Sequence, residues 1–223
     1  MSASLVRPFL VVLTVLAAGC EGKVLSVPPV EHPDGDCSLC DLARDKRSSV
    51  VRIQTPTGSG SGTVVDARGW ILTNAHVTRG RHTIWIETHE GQLVQGRVIR
   101  IAPSEDLALI QADAPWVLWR PVELAPDEPP APDSFATGIG YPGQEGWLVA
   151  HGRIRALRPP GDLAAISFLE CDVPIFPGSS GGPLLDSRGR LLGLLTGRFR
   201  DDPDGPSFAR PASALRRFLD AVR

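Results

Sequence analysis

From about Ser48 to its end the chain is written in short apolar or alternating runs, broken by turn residues roughly every eight to twelve positions. That rhythm leaves few architectures open: many short strands at even spacing favour an all-β barrel or sandwich. The first half reads as strands over Val50 to Gln54, Gly62 to Val65, Trp70 to Asn74, Thr83 to Glu87, Leu93 to Ile101 and Leu107 to Gln111, with turns at Asp66-Ala-Arg-Gly69 and Glu90-Gly91. The second half reads as Phe135 to Ile139, Gly146 to Ile154, Ala164 to Asp172, Gly182 to Leu185, Leu191 to Thr196 and Ser207 to Ala209. Between them the Pro-rich stretch 115–132 marks a linker, and two six-stranded units fit. After Pro211 the period changes. Ser213 can cap a helix whose Leu215, Phe218, Leu219 and Val222 share one face, and this helix is expected on the outside of the second unit.

At 223 residues with 42% apolar content, the chain allows one or two domains with a packed core. The net charge is -2 with no block of one sign, so nothing electrostatic points to nucleic acid as a partner.

Residues 1–20 read as a targeting segment outside the fold, with Arg7 as a thin positive region and an apolar stretch from Phe9 to Ala18. That stretch is well short of the ~20 residues a membrane-spanning helix needs. It closes as Leu16-Ala17-Ala18-Gly19-Cys20, which resembles the lipobox of bacterial lipoproteins, with Ala17 where leucine is commoner. The resemblance implies acylation of Cys20 and a mature protein tethered to the bacterial cell envelope, as a periplasmic or outer-membrane lipoprotein. Ordinary signal-peptide cleavage is the alternative. Residues 21–47, rich in Pro, Gly, Asp and Ser without a sustained period, read as a tether. Three further cysteines leave three pairings open: Cys37 with Cys40, Cys37 with Cys171, and Cys40 with Cys171. No second Cys-x-x-Cys accompanies the first, so no metal site is expected.

Chemistry concentrates in Pro177-Gly178-Ser179-Ser180-Gly181-Gly182-Pro183. A serine hydroxyl is a poor nucleophile at neutral pH and needs a base within reach and donors aimed where negative charge develops. Gly178 can turn successive N–H groups toward one point, while Gly181 and Gly182 leave room for a substrate backbone. Ser180 is the candidate nucleophile. The oxyanion-hole candidates lie over Gly178, Ser179 and Ser180, with the N–H groups of Gly178 and Ser180 as donors. The bland alternative is a surface turn, since Pro, Gly and Ser are also ordinary turn residues.

Two partners stand upstream at strand rims. His76 follows the strand of Trp70-Ile-Leu-Thr-Asn-Ala-His-Val77, and Asp106 precedes that of Ser104-Glu-Asp-Leu-Ala-Leu-Ile110. Their order, with Asp106 thirty residues after His76 and Ser180 about seventy further on, resembles the trypsin-like serine peptidases, and more narrowly the HtrA/Deg group. Supporting stretches are Ser49-Val-Val-Arg-Ile53, Gly58-Ser-Gly-Ser-Gly62, Gly138-Ile-Gly-Tyr-Pro142, Asp172-Val-Pro-Ile-Phe-Pro-Gly178 and Phe208-Ala-Arg-Pro211, so that the resemblance covers nearly all of 48–223. It implies an all-β fold of two six-stranded antiparallel barrels with a C-terminal helix, and serine endopeptidase chemistry. His76 would be the base, Asp106 the acid that orients it and Ser180 the nucleophile, with no metal or organic cofactor. Polypeptides are the implied substrates. Members of the group are often trimers, although no feature of this sequence establishes that state.

The departures carry information too. Ser179 stands where the HtrA group usually has Asn, and Phe176 replaces a usual Asn beside the specificity pocket. No Ile-Val-Gly-Gly-like N-terminus is present, so activation by cleavage and insertion of a new amino terminus is not expected. Val173, Pro174, Ile175 and Phe176, with Leu195, Thr196 and Gly197 across from them, are the expected substrate-binding residues; no Asp stands among them to greet Lys or Arg. Cleavage after small or medium apolar residues is therefore expected. The sequence stops at Arg223 directly after the helix, and a PDZ domain is not expected. The competing reading from another class is a catalytically silent binding or scaffold lipoprotein that keeps the fold. An acyl-hydrolase of another fold would need Gly-x-Ser-x-Gly within an alternating α/β pattern, which is not seen.

Overall fold

The computed structural model describes residues 38–56, 58–143, 146–158, 166–198 and 205–222, with the backbone alone for 38–40. All twelve expected strands are present. β1 (Val50–Thr55), β2 (Gly58–Asp66), β3 (Trp70–Thr73), β4 (Thr83–Glu87), β5 (Leu93–Ala102) and β6 (Leu107–Ala112) close into one barrel in the order β1-β2-β3-β6-β5-β4. β7 (Phe135–Gly140), β8 (Leu148–Arg158), β9 (Phe168–Cys171), β10 (Pro183–Leu185), β11 (Leu191–Arg198) and β12 (Ser207–Pro211) close into a second, in the order β10-β11-β12-β9-β8-β7. Read from β7, that is the same wiring offset by six strands. Every pairing within the barrels is antiparallel, and closure comes from β1 on β4 and β7 on β10.

The period of two explains the strand positions. In β4, Ile84 and Ile86 are buried while Thr83 and Trp85 face solvent, so alternate side chains fill the barrel and cover it, whereas β6 and β10, which also face the other barrel, are buried almost throughout. One core cluster fills the first barrel around Ile53, Ile71, Ile86 and Ile110, and another fills the second around Ile154, Leu169, Cys171 and Leu195. The third lies between the barrels, where Val50, Leu72 and Leu109 meet Ile139, Leu185 and Leu194.

The structure corrects three local expectations. The tether read over 21–47 is helical from residue 38: α1 (Ser38–Lys46) and a 3-10 turn (Arg47–Ser49) lead into β1. Ala43 is buried and Leu42 packs against the inter-barrel core, so this short polar helix is held by two apolar contacts that no long sequence period announces. After the short helix α2 (Ala75–Thr78), the next helix is α3 (Ala212–Asp220). Its N-cap is Pro211 with no side-chain capping bond, so Ser213 lies inside the first turn and does not cap it. Leu215, Phe218 and Leu219 of α3 join the core between the barrels, so the helix seals their junction as well as packing on the second. The Pro-rich linker is a hydrogen-bonded strap. Val122 N–H donates to Val64 C=O at 2.9 Å in the first barrel, while Leu191 N–H donates to Glu123 C=O at 2.7 Å and Ala125 N–H to Leu191 C=O at 3.0 Å in the second.

Candidate active site

Of the three triad candidates, His76 and Asp106 are in contact on the first barrel, and Ser180 is linked to their side through Thr196, which Asn74 also contacts. β3 ends at Thr73, and α2 begins two residues later, which puts His76 on a single helical turn at the barrel rim. Asp106 ends the 3-10 turn Pro103–Glu105 in a left-handed conformation, φ 53°, that an Asp side chain tolerates better than most. That kink aims its carboxylate at His76: Oδ2 lies 2.8 Å and Oδ1 3.0 Å from Nδ1, and Oδ1 also accepts the His76 backbone N–H at 3.0 Å. A carboxylate only accepts, so Nδ1 carries the proton and Nε2 is left as the acceptor. Asn74, fully buried, donates from Nδ2 to Asp106 C=O at 3.1 Å and to Thr196 Oγ1 at 3.2 Å, linking the Asp106 turn to β11 of the second barrel.

Glu105, next to Asp106, is approached by an unusual partner. Arg210 of β12 is 1% exposed, its Nη1 donates to Ser167 C=O, and its Nη2 lies 3.6 Å from Glu105 Oε2. Burial pushes the guanidinium below its ordinary range, with Glu105 pulling the other way.

The serine loop enters from the second barrel, ahead of β10. Phe176 C=O accepts Ser179 N–H at 2.9 Å, closing a turn with Pro177 and Gly178 at its centre. Gly178 has φ +103°, so the turn is of type II, and an added Cβ would meet the backbone of Tyr141, Pro142 and Gly143 at 2.7–2.8 Å. Of the three oxyanion candidates, Ser179 has therefore spent its amide on Phe176. It contributes packing against Gly140 and a long 3.4 Å contact from Phe176 N–H to its Oγ. Among the described residues, the N–H groups of Gly178 and Ser180 have no hydrogen-bond partner. Ser180 Oγ donates to Thr196 C=O at 2.9 Å; no hydrogen bond joins it to His76.

The loop is gripped by the other barrel. Ser61 Oγ donates to Gly178 C=O at 2.7 Å, Ser61 N–H to Ser180 C=O at 2.8 Å, and Thr63 Oγ1 to Gly181 C=O at 3.0 Å. Gly181, φ +86°, sits so close to β2 and β3 that a Cβ would fall 2.2 Å from both Ser61 O and Thr73 Oγ1. The Gly58-Ser-Gly-Ser-Gly62 stretch carried no assigned role in sequence, because hydroxyls in a Gly-Ser run look like turn residues until their partners, more than a hundred positions away, are brought to them.

The expected substrate-binding residues divide. Val173, at 0% exposed, and Leu195, at 2%, belong to the core of the second barrel and present no side chain to a peptide. Pro174, Ile175, Phe176, Thr196 and Gly197 remain half-buried. Beside them lies a polar pair outside the apolar expectation: Arg198 Nε donates to Ser207 Oγ at 3.2 Å, and Ser207 donates to Val173 C=O at 2.6 Å. Cys171 is a free buried thiol whose pKa burial pushes up to about 12, which leaves the pairings through Cys171 unmade. Cys20 and Cys37 lie outside the described residues.

Known proteins match this geometry. The chain is 33% identical over 168 residues to the putative serine protease HhoB of Synechocystis sp., covering 73% of this chain and 40% of that protein. It is 31% identical over 183 residues to serine protease HTRA1B of Danio rerio, covering 78% and 37%. The chain thus spans about two fifths of the length of these curated relatives. Among solved structures, the HtrA-type protease AlgW with tripeptide superposes with a TM-score of 0.76 at 26% identity, covering 82% of this chain and 62% of that one. The sequence model of the family described as "Trypsin-like peptidase domain" matches residues 60–194, more than half of the chain, and with the paired barrels this makes the chain a member of the trypsin-like peptidase family, similar to its HtrA-type proteases.

Proposed function

We propose that the chain is a serine endopeptidase in which Ser180 attacks a peptide carbonyl, His76 Nε2 takes its proton and returns it to the departing amine, and Asp106 holds the imidazole. The observation that carries this reading is the His76–Asp106 contact at 2.8 Å, which leaves Nε2 as the acceptor at the face between the barrels. In the reaction Ser180 Oγ gives up the Thr196 carbonyl for that acceptor, a step of the kind apo enzymes leave until substrate arrives. The developing oxyanion is received by the N–H groups of Gly178 and Ser180, which lack a partner among the described residues. No step calls for a metal or organic cofactor.

The substrates are unfolded or exposed polypeptides, cut after small or medium apolar residues in keeping with half-buried Ile175 and Phe176. The protein is exported and anchored through acylated Cys20 in a bacterial envelope, as a periplasmic or outer-membrane lipoprotein, with two or three acyl chains giving a stable anchor. A trimer is the assembly the HtrA resemblance suggests. The second reading, a silent scaffold lipoprotein, draws on the Ser180 hydroxyl being turned to Thr196. The His76–Asp106 contact and the serine loop's ties to the first barrel favour the enzyme.

A fluorophosphonate probe tests the choice. Labelling of the wild type that vanishes in Ser180→Ala supports the peptidase, and no labelling under any condition sinks it. Cleavage-site profiling with a peptide library then tests the pocket. A strong preference for Lys or Arg overturns the apolar reading, and a preference for acidic residues transfers the selecting role to Arg198.

A further inference from the structure

We propose that Ser61 is a positioning residue of this reaction, fixing from the opposite barrel the two amide donors of the nucleophile loop. The inference rests on Ser180 being the nucleophile.

Ser61 lies in β2 and is completely buried. Its hydroxyl accepts the Tyr141 N–H at 2.8 Å, so its single proton is directed at Gly178 C=O, 2.7 Å away. Its own N–H donates to Ser180 C=O at 2.8 Å, and its C=O accepts the Thr73 hydroxyl at 2.7 Å. One residue therefore holds the carbonyls of both residues whose amides serve as donors, and is itself pinned by Thr73 and Tyr141.

The Gly178–Ser179 peptide is the joint between those donors, and it is tied at both ends: its C=O to Ser61 and its N–H to Phe176 C=O at 2.9 Å. A peptide is planar, so holding both ends fixes the plane. This matters because Gly178 does not restrain itself. Glycine passes readily between positive and negative φ, and a flip of the Pro177–Gly178 peptide would turn the type II turn into type I and swing the Gly178 N–H to the other face. Such a flip turns only the central peptide, so what Ser61 sets is the frame around it: the positions of the Gly178 and Ser180 carbonyls, and with them where both donors sit. A donor must lie 2.7–3.1 Å from the oxyanion to act, so displacements well under an ångström count. Ser61 touches neither substrate nor reacting atoms; it acts through Gly178 and Ser180.

The test is kinetic, on the full chain with a peptide the wild type cleaves. Ser61→Ala is expected to lower kcat about 10- to 100-fold, part of the loss expected for a deleted oxyanion donor, with KM changed less than about threefold. Affinity for a peptide boronate, whose tetrahedral adduct needs the same donors, is expected to fall by the same factor as kcat/KM. Ser61→Thr and Ser61→Val are matched in shape and differ by the hydroxyl, so the Thr variant is expected to be at least about tenfold the faster. If that bulkier pair does not fold, Ser61→Cys replaces it and is expected to fall between Ala and wild type. A wild-type kcat in Ser61→Ala, a lost kcat with boronate affinity retained, or equal Thr and Val variants overturns the inference and leaves the peptidase standing. A wild type unreactive at Ser180 overturns both.

Discussion

The Ser180 hydroxyl donates to the main-chain carbonyl of Thr196, 2.9 Å away, while the imidazole of His76 is held by Asp106 at 2.8 Å. The proposed nucleophile and base are thus each positioned but not yet joined. Ser180→Ala removes one hydrogen bond from the resting protein, so its stability to urea should fall by about 0.5–1.5 kcal/mol. Peptide turnover should fall by about 10⁶-fold. A variant that loses activity only in step with unfolding would contradict this separation.

Gly178→Ala confronts two obstacles at once. The φ of +103° disfavours any Cβ, and the atom would fall 2.7–2.8 Å from the Tyr141–Gly143 backbone, which cannot swing away as a flexible side-chain end can. We expect a stability loss of about 1–3 kcal/mol and turnover lowered at least about 100-fold, because the turn escapes the clash by abandoning the donor geometry. Thermal unfolding and steady-state kinetics on the same preparation check both.

Arg210 offers a stability experiment at the barrel junction. Its stem fills space between β12 and the Glu105 turn, so Arg210→Ala should cost about 2–5 kcal/mol through the cavity it leaves. Arg210→Met, which keeps most of the volume, should cost clearly less. Glu105→Gln should cost under about 1 kcal/mol, since that carboxylate is 37% exposed and stands 3.6 Å from its partner. Urea midpoints that rank Glu105→Gln as the worst of the three would show that charge, not packing, dominates there.

Cys171 supplies a pH dependence with a definite sign. The folded thiol titrates at about 12, well above the 9.0 of an ordinary thiol. Above pH 9 the unfolded chain therefore releases a proton that the folded chain keeps. The contribution is fully present below pH 9 and is lost as pH rises toward 12, at up to about 1.4 kcal/mol per pH unit. Cys171→Ala should flatten the stability profile in that window. Alkylation of the Cys171 peptide, followed by mass spectrometry, should proceed only as fast as the barrel opens.

What the sequence disclosed, and what it withheld, follows from how far each signal reaches along the chain. Strands such as Thr83–Glu87 and Leu93–Ala102 announce themselves by alternation within a few residues, and their spacing allowed two six-stranded units; closure into antiparallel barrels was implied by the family resemblance, and the strand order is seen only in the structure. His76, Asp106 and Ser180 were legible only in combination: a single His or Asp at a strand rim says little, and it is the ordered set of three motifs that resembles the trypsin-like peptidases. α1 escaped notice because its fixing contacts, Leu42 and Ala43 against the inter-barrel core, are tertiary. Val173 and Leu195 were assigned to the peptide site because strand direction, which sends a side chain into the barrel or out of it, is settled by pairing and not by composition. Ser179 showed its hydroxyl in sequence but hid the use of its amide, which only the closed turn reveals.

The strap and the three carbonyls tied to β2 lead to a mechanical conclusion. Ser180 is encoded by the second barrel, yet the carbonyls of Gly178, Ser180 and Gly181 are moored to Ser61 and Thr63 of the first, which also carries His76 and Asp106. The reacting groups thus share one frame of reference. Rocking of the second barrel against the first should distort the proposed specificity wall of half-buried Ile175 and Phe176 before it lengthens the path from Ser180 to His76. Selectivity should therefore soften earlier than chemistry when the molecule is warmed.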